Sequence, residues 1–171
     1  MNLFCFKKNR SAMTLIELLL YVSLLVFIFS ALFSTLSIFY SNKIKNRTIL
    51  EVEQQGLIAS LILSQEIRNA QSINSPSAGN SLASLSLEPF DPSRNPLLFS
   101  LIADKIVIDE AGDQSNLSSD NVVISNLNFE NNSAGETSSI KFSFDVSYNS
   151  DSLRQEYKYD KNFSGTANLL K

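Results

Sequence analysis

Polar positions almost vanish between Met13 and Tyr40, and the pattern of apolar residues then changes twice along the chain. From Leu18 to Tyr40, 23 residues carry no charge. As a helix they reach about 35 Å, enough to cross a hydrocarbon layer of about 30 Å. The run exceeds the apolar core of an ordinary cleaved secretory signal, about 7–15 residues, and no small-x-small cleavage pattern closes it. Ser30-Ala31 and Ser34-Thr35 both lie in mid-run. Loop charge leaves its orientation tied: Lys7, Lys8 and Arg10 precede the span, and Lys43, Lys45 and Arg47 follow it.

No Gly or Pro interrupts Met13 to Gln55, so nothing stops the helix at the end of the apolar run. Helix-compatible sequence continues through Leu50, Val52, Leu57, Ile62, Ile67, Ala70 and Ile73, and Pro76 is its expected end. The result is one helix of about 60 residues, roughly 90 Å if unbroken. At about 100° per residue, Leu57 and Leu61 share a face with Leu50. Ile58 and Ile62 point to one side of it, and Leu63 and Ile67 lie on the far side. A helix packed on one sheet needs a single apolar stripe. Two readings stay open for this outer half: burial on several sides, by its own head and by neighbouring helices, or one thick core contact.

Beyond Pro76 the period shortens. Ser77 to Ser81 is a Ser/Gly/Asn linker, and Pro89, Pro92 and Pro96 punctuate the next stretch. Strands are expected at Leu82–Leu87, Leu97–Ile102, Lys105–Asp109, Asn121–Phe129, Ser139–Tyr148 and Gln155–Phe163. Ile140, Phe142, Phe144, Val146 and Tyr148 alternate with polar residues, the signature of a half-buried strand. Val123, Ser125, Leu127 and Phe129 share one face of the preceding strand, opposite Asn126 and Asn128. Tyr157, Tyr159 and Phe163 suit the last strand, with Lys161 as an interruption. Ala103-Asp104 is short enough to turn a hairpin. The expected fold is α+β: a long N-terminal helix whose outer half packs against a C-terminal antiparallel sheet with one wet face.

Charge and cysteine content narrow the function. The chain has 14 basic and 17 acidic residues, no His, no Trp and one cysteine, Cys5. From Ser75 onward, 7 basic residues face 13 acidic ones, a net −6. So acidic a region lacks the footprint of a general nucleic-acid binder, although Lys158 and Lys161 leave room for a local basic patch. Leu3-Phe4-Cys5 lacks the small residue that precedes a lipidated cysteine, and an inert thiol is the better reading.

The densest information lies in Ser11-Ala12-Met13-Thr14-Leu15-Ile16-Glu17-Leu18-Leu19-Leu20. A basic stub (Lys7, Lys8, Arg10) and a small residue lead into the apolar run, whose single charge is Glu17. A carboxylate costs about 2.5–3.5 kcal/mol at a bilayer centre on insertion scales, and less near the edge. This segment resembles the type IV prepilin signal, over about Lys7 to Tyr40. Ala12 stands where the family most often has Gly, and Met13 where it most often has Phe.

The resemblance implies cleavage between Ala12 and Met13 by a prepilin peptidase and N-methylation of Met13. It also implies pairing of Glu17 with the free amino terminus of a neighbouring subunit, or of its own chain one turn away. Removing the leader takes Cys5 and three basic residues, leaving 11 basic against 17 acidic and no thiol for a disulfide framework or a thiolate metal site. The expected organisation is a leader (1–12), a transmembrane and filament-core half-helix (13–40), an outer half-helix (41–74) and a β-rich head (75–171). The leader is then cytoplasmic and the head lies outside the inner membrane, in a periplasmic or extracellular filament after assembly. Pilins often carry a Pro early in this helix, and its absence here implies a more continuous rod. Asn121–Tyr148 also resembles, more weakly, the C-terminal strands of minor pilins and J-type pseudopilins.

On this reading the chain is a structural subunit of a type IV pilus, a secretion pseudopilus or a DNA-uptake (competence) filament. Its partners are other pilin subunits, the peptidase, an inner-membrane platform protein and, before assembly, lipid; no cofactor is expected. The alternative is an uncleaved, signal-anchored β-domain that binds a ligand and never polymerises. Enzyme chemistry finds little to use. Serine nucleophiles would need Lys or a carboxylate as base, and no Ser lies in a Gly-x-Ser-x-Gly turn. Ser and Asn make up 45 residues, which their use in turns and wet surfaces explains without catalysis. Asp109, Glu110 and Asp113 around Gly112 offer clustered oxygens for calcium, but their spacing does not match a twelve-residue calcium loop, and a solvated acidic turn is the preferred reading.

Overall fold

A computed structural model describes residues 14–135 and 137–170. The chain divides into two compact units, one ending at Asn42 and one beginning at Lys43. The first is helical from Leu15 onward, and every side chain from Thr14 to Tyr40 is exposed. Helix α1, Leu15–Arg68, has 54 residues and supplies the opening of the second unit.

The helix stops earlier than Pro76. Its last carbonyl, on Arg68, accepts from the Leu170 N–H at 3.0 Å, and Ala70–Ser75 becomes strand β1. Ala70 and Ile73, which fit a helical pattern, are strand residues paired to β3, Leu85–Pro89. Six residues are too few to distinguish the two periods, and Pro76 biases Ser75 towards extended backbone. The 41–74 boundary of the outer half-helix therefore moves back to Arg68.

The remaining strands are β2 (Ser81–Leu82), β4 (Leu97–Ile102), β5 (Lys105–Glu110), β6 (Asp113–Asn116), β7 (Val122–Asn131), β8 (Ser139–Tyr148) and β9 (Asp160–Asn168). They form two antiparallel sheets rather than one, ordered β1-β3-β4-β5-β6 and β2-β7-β8-β9. The Ala103-Asp104 turn joins β4 to β5, with both residues at positive φ, and the Asp104 carbonyl accepts from Ile124 on β7 at 2.9 Å. The short polar β6 pairs with β5 through Ala111-Gly112, a second turn of positive φ. Gln155–Tyr157 is a 3-10 turn, and the last strand starts only at Asp160.

Strand β8 follows its alternation, with Ile140, Phe142, Phe144 and Val146 buried. Strand β7 does not keep one phase. Val122 and Ile124 are buried at its start, then Leu127, Phe129 and Asn131. Between Ser125 and Asn128 the register against β8 gains one residue, and Asn126 adopts φ 53°. This is a bulge, and it reverses which side chains face inward. Val123 and Ser125 thus leave the face assigned to them. The Asp145 carboxylate pins the bulge, accepting from Asn126 and Asn162 at 2.7 Å each, and these bonds lower its pKa.

Helix α1 gives the core one narrow stripe: Thr48, Val52, Gly56, Ala59, Leu63 and Ile67. Gly56 sets the approach. A Cβ there would lie 2.2 Å from the Phe163 ring of β9, which stacks on Phe144 at 5.7 Å. Charged clamps flank the stripe. Glu53 accepts from Lys161 Nζ with both oxygens at 2.7 Å and from Tyr159 Oη at 2.9 Å. Arg94, in the turn Pro92–Arg94, donates twice to Glu110 at 2.7 and 3.1 Å and contacts Glu66 at 3.2 Å. One clamp reaches each sheet.

The close approach and the clamps each lead to a measurable outcome. Gly56→Ala gains about 0.8–1 kcal/mol of helix propensity but forces an overlap costing about 1–3 kcal/mol. Thermal unfolding of the detergent-solubilised chain should show lower stability, partly recovered by Phe163→Leu; an unchanged or raised midpoint refutes the close approach. The second outcome concerns acid. Lys161 and Tyr159 lower the Glu53 pKa, Arg94 lowers that of Glu110, and Lys105 lowers that of Asp120. These groups stabilise the fold above the unfolded carboxylate range and lose that effect as pH falls through their folded values, so stability declines below about pH 4. Glu53 also raises the pKa of Lys161 and Tyr159, whose contributions are complete below about pH 10 and fade above it. Glu53→Gln should flatten both limbs of a stability–pH curve, and a curve parallel to wild type would show that this clamp carries no linkage.

Candidate functional site

Thr14 precedes the first residue of α1, and Glu17 lies in the first turn. The Leu18 N–H donates to the Thr14 carbonyl at 3.2 Å, and the Glu17 N–H donates to Thr14 Oγ1 at 3.4 Å. Thr14-Leu15-Ile16-Glu17 therefore has the spacing of a capping box, with the carboxylate near the positive end of the helix. The Thr-x-x-Glu spacing is itself the sequence signal of this second role. A helix N-terminus stabilises an exposed anion by about 0.3–1 kcal/mol. The figure is smaller than the cost of a lone carboxylate in hydrocarbon. Capping explains the helix start, but not why a charge sits in this segment.

Among the described residues there is one helix long and apolar enough to cross a membrane, and its apolar stretch is exposed. Its hydroxyls suit such a solvent. Ser23 Oγ donates to the Leu20 carbonyl at 2.8 Å, and Thr35 Oγ1 to the Ala31 carbonyl at 2.9 Å, so neither needs water. Ala12, Met13, Lys7, Lys8 and Arg10 lie outside the described residues.

A second surface lies on the outer part of α1. Leu50, Leu57 and Leu61 are each more than half exposed, and Ile58 is exposed beside them. At 100° per residue their face points about 180° from the Val52–Ala59–Leu63 stripe. The head covers one side of this helix segment and leaves an apolar ridge on the other. Of the two readings of the outer half, the thick core contact fails for Leu50, Leu57 and Leu61.

The other candidates are engaged elsewhere. Asp109 accepts from the Gly112 N–H at 2.9 Å and from Gln114 Nε2 at 3.0 Å, while Glu110 holds Arg94. Asp113 begins β6 and is exposed. No group of three or more metal-ligating side chains occurs among the described residues. Lys161 is tied to Glu53 rather than joined with Lys158 in a basic patch. The Glu53–Tyr159–Lys161 and Glu66–Arg94–Glu110 clusters had no sequence signal, because each carboxylate lies 16 to 108 positions from the donor it holds and only folding brings them together.

No family model, curated protein or solved structure matches this chain.

Proposed function

We propose that the chain is a minor pilin or pseudopilin, a structural subunit that joins a type IV pilus, a secretion pseudopilus or a DNA-uptake filament. The observation that carries this reading is Glu17, the only charge between Leu15 and Tyr40, held in the first turn of the apolar helix. It follows a basic stub and a small residue at the spacing of a prepilin signal. Cleavage between Ala12 and Met13 creates an amine one helical turn away, and N-methylation keeps that amine cationic. A cation close to Glu17 removes the reason to exclude it from hydrocarbon, since in such a medium only the paired charge is tolerated. In a filament the partner is the amine of the next subunit. The exposed ridge of Leu50, Leu57 and Leu61 supports the same reading, because it gives neighbouring helices an apolar surface that the chain's own head leaves open.

The alternative, a signal-anchored β-domain that never polymerises, predicts a retained leader. Intact mass of the membrane form, from cells with an active prepilin peptidase, should show loss of Met1–Ala12 and gain of one methyl group. A full-length mass excludes the pilin assignment. Glu17→Val should insert in the membrane at least as well as wild type, yet be depleted tenfold or more from sheared filaments, a loss of about 1.4 kcal/mol or more. Normal incorporation of this variant would remove the role assigned to the carboxylate.

A further inference from the structure

The turn of α1 just after the apolar stretch carries Lys43, Lys45 and Arg47, all exposed, and no acidic residue lies between Glu17 and Glu51. Lys43 is three residues beyond Tyr40, so the chain can carry it at most about 11 Å from there by any path. Within the second unit, Ile44, Arg47 and Thr48 line a recess together with Tyr148 and Tyr157. The two tyrosine rings stack, with centroids 6.2 Å apart and planes 27° from parallel. Tyr148 precedes the loop 149–158 and Tyr157 lies within it; its Leu153 is 88% exposed, more than any described large apolar side chain of the membrane-length stretch. The loop is balanced in charge, with Asp151 and Glu156 against Arg154 and Lys158, so the positive excess comes from the helix turn.

Cations, tyrosines and a protruding leucine together form the composition that settles at a bilayer interface, where aromatic rings lie at headgroup level and basic side chains meet anionic lipid. A lone exposed Leu would need no explanation. One in a loop that carries Tyr157, whose ring stacks on Tyr148 and shares a recess with Arg47, does. We propose that the 43–47 turn and the 149–158 loop form one lipid-facing patch, which rests the head on an anionic bilayer surface before assembly. The inference depends on the membrane-anchored reading of the apolar helix.

The chain has no Trp, so single tryptophans report without background. Full-length Leu153→Trp, Phe90→Trp and Phe27→Trp would be reconstituted in phosphatidylcholine vesicles, with or without phosphatidylglycerol, bearing a quencher near the headgroup or in the acyl chain. Phe90 shares a recess with Glu66 and Arg68, and Arg68 is 21 residues and about 32 Å along α1 from Arg47. The expected result is headgroup quenching of L153W at least threefold above F90W in anionic vesicles. The excess should shrink in neutral vesicles, in about 1 M salt, where the Debye length falls to about 3 Å, and in a K43Q/K45Q/R47Q background. F27W should be quenched from the acyl chain in every case. Equal quenching of L153W and F90W, with F27W in the bilayer, overturns the patch and leaves the anchored reading standing. F27W outside the bilayer overturns both. An L153W that is shielded only in assembled filaments assigns the loop to a subunit contact and also overturns the patch.

Discussion

Close approach of α1 to β9 is the constraint on which the head depends. Gly56 and Ala59 leave a shallow trough on the helix, and the Phe163 ring fills it while stacking on Phe144. Ala59, together with Val52, Leu63 and Ile67, belongs to the same core cluster as side chains from both sheets. Small residues let the inner side of the helix be covered by few side chains of its own. Leu50, Leu57 and Leu61 occupy the outer side, where the head does not reach. The two charged clamps work at the margins of the trough, and both are partly exposed. Screening by solvent makes such pairs worth little in isolation, so their main effect is to fix rotation of the helix against the sheets. Packing at Gly56 supplies the attraction, and the clamps choose the orientation.

The parts of the fold that were legible in sequence are those set by local chemistry. Strand β8 alternates because one face is core and the other is wet along its whole length. The Ala103-Asp104 hairpin is legible because only a two-residue turn fits between the apolar runs. The long helix is legible because no breaker interrupts it. Failures share a cause: each depends on a pairing partner that the segment's own period does not reveal. Residues 70–75 are a strand because β3 lies beside them, and the bulge at Asn126 is held by Asp145 and Asn162. The polar tetrad Asp113–Asn116 has no apolar pattern and is a strand only because β5 offers an edge. One sheet became two because strand order is a property of pairing, which period does not encode. Glu17 was legible by contrast, since a charge in an apolar run stands out without any tertiary context.

The two ends of the apolar stretch carry opposite charges, and the asymmetry bears on how such a chain is held. At its start a single carboxylate lies inside the run and requires a cation close by. At its far end three cations lie just outside and require none, because water and headgroups satisfy them. Three juxtamembrane cations at about 1 kcal/mol each, with one buried leucine at about 1.5–3 kcal/mol, give an interfacial attachment of a few kcal/mol. Moving the apolar side chains of the whole span from hydrocarbon into water costs far more, since each large one repeats the leucine's contribution. On the proposed reading the patch would not anchor the chain; it would orient a head that the helix anchors, and salt or a competing surface would release it. A subunit of the proposed kind, which leaves lipid for a helical bundle, would gain from that hierarchy. Its strong attachment is apolar and can be replaced by neighbouring helices, side chain for acyl chain. Its weak attachment is electrostatic and lets go without replacement. On the same reading Glu17 is the one charge that cannot be left uncompensated in either place, so that pairing with an amine, rather than burial of apolar surface, would discriminate a correctly registered neighbour from any other apolar helix.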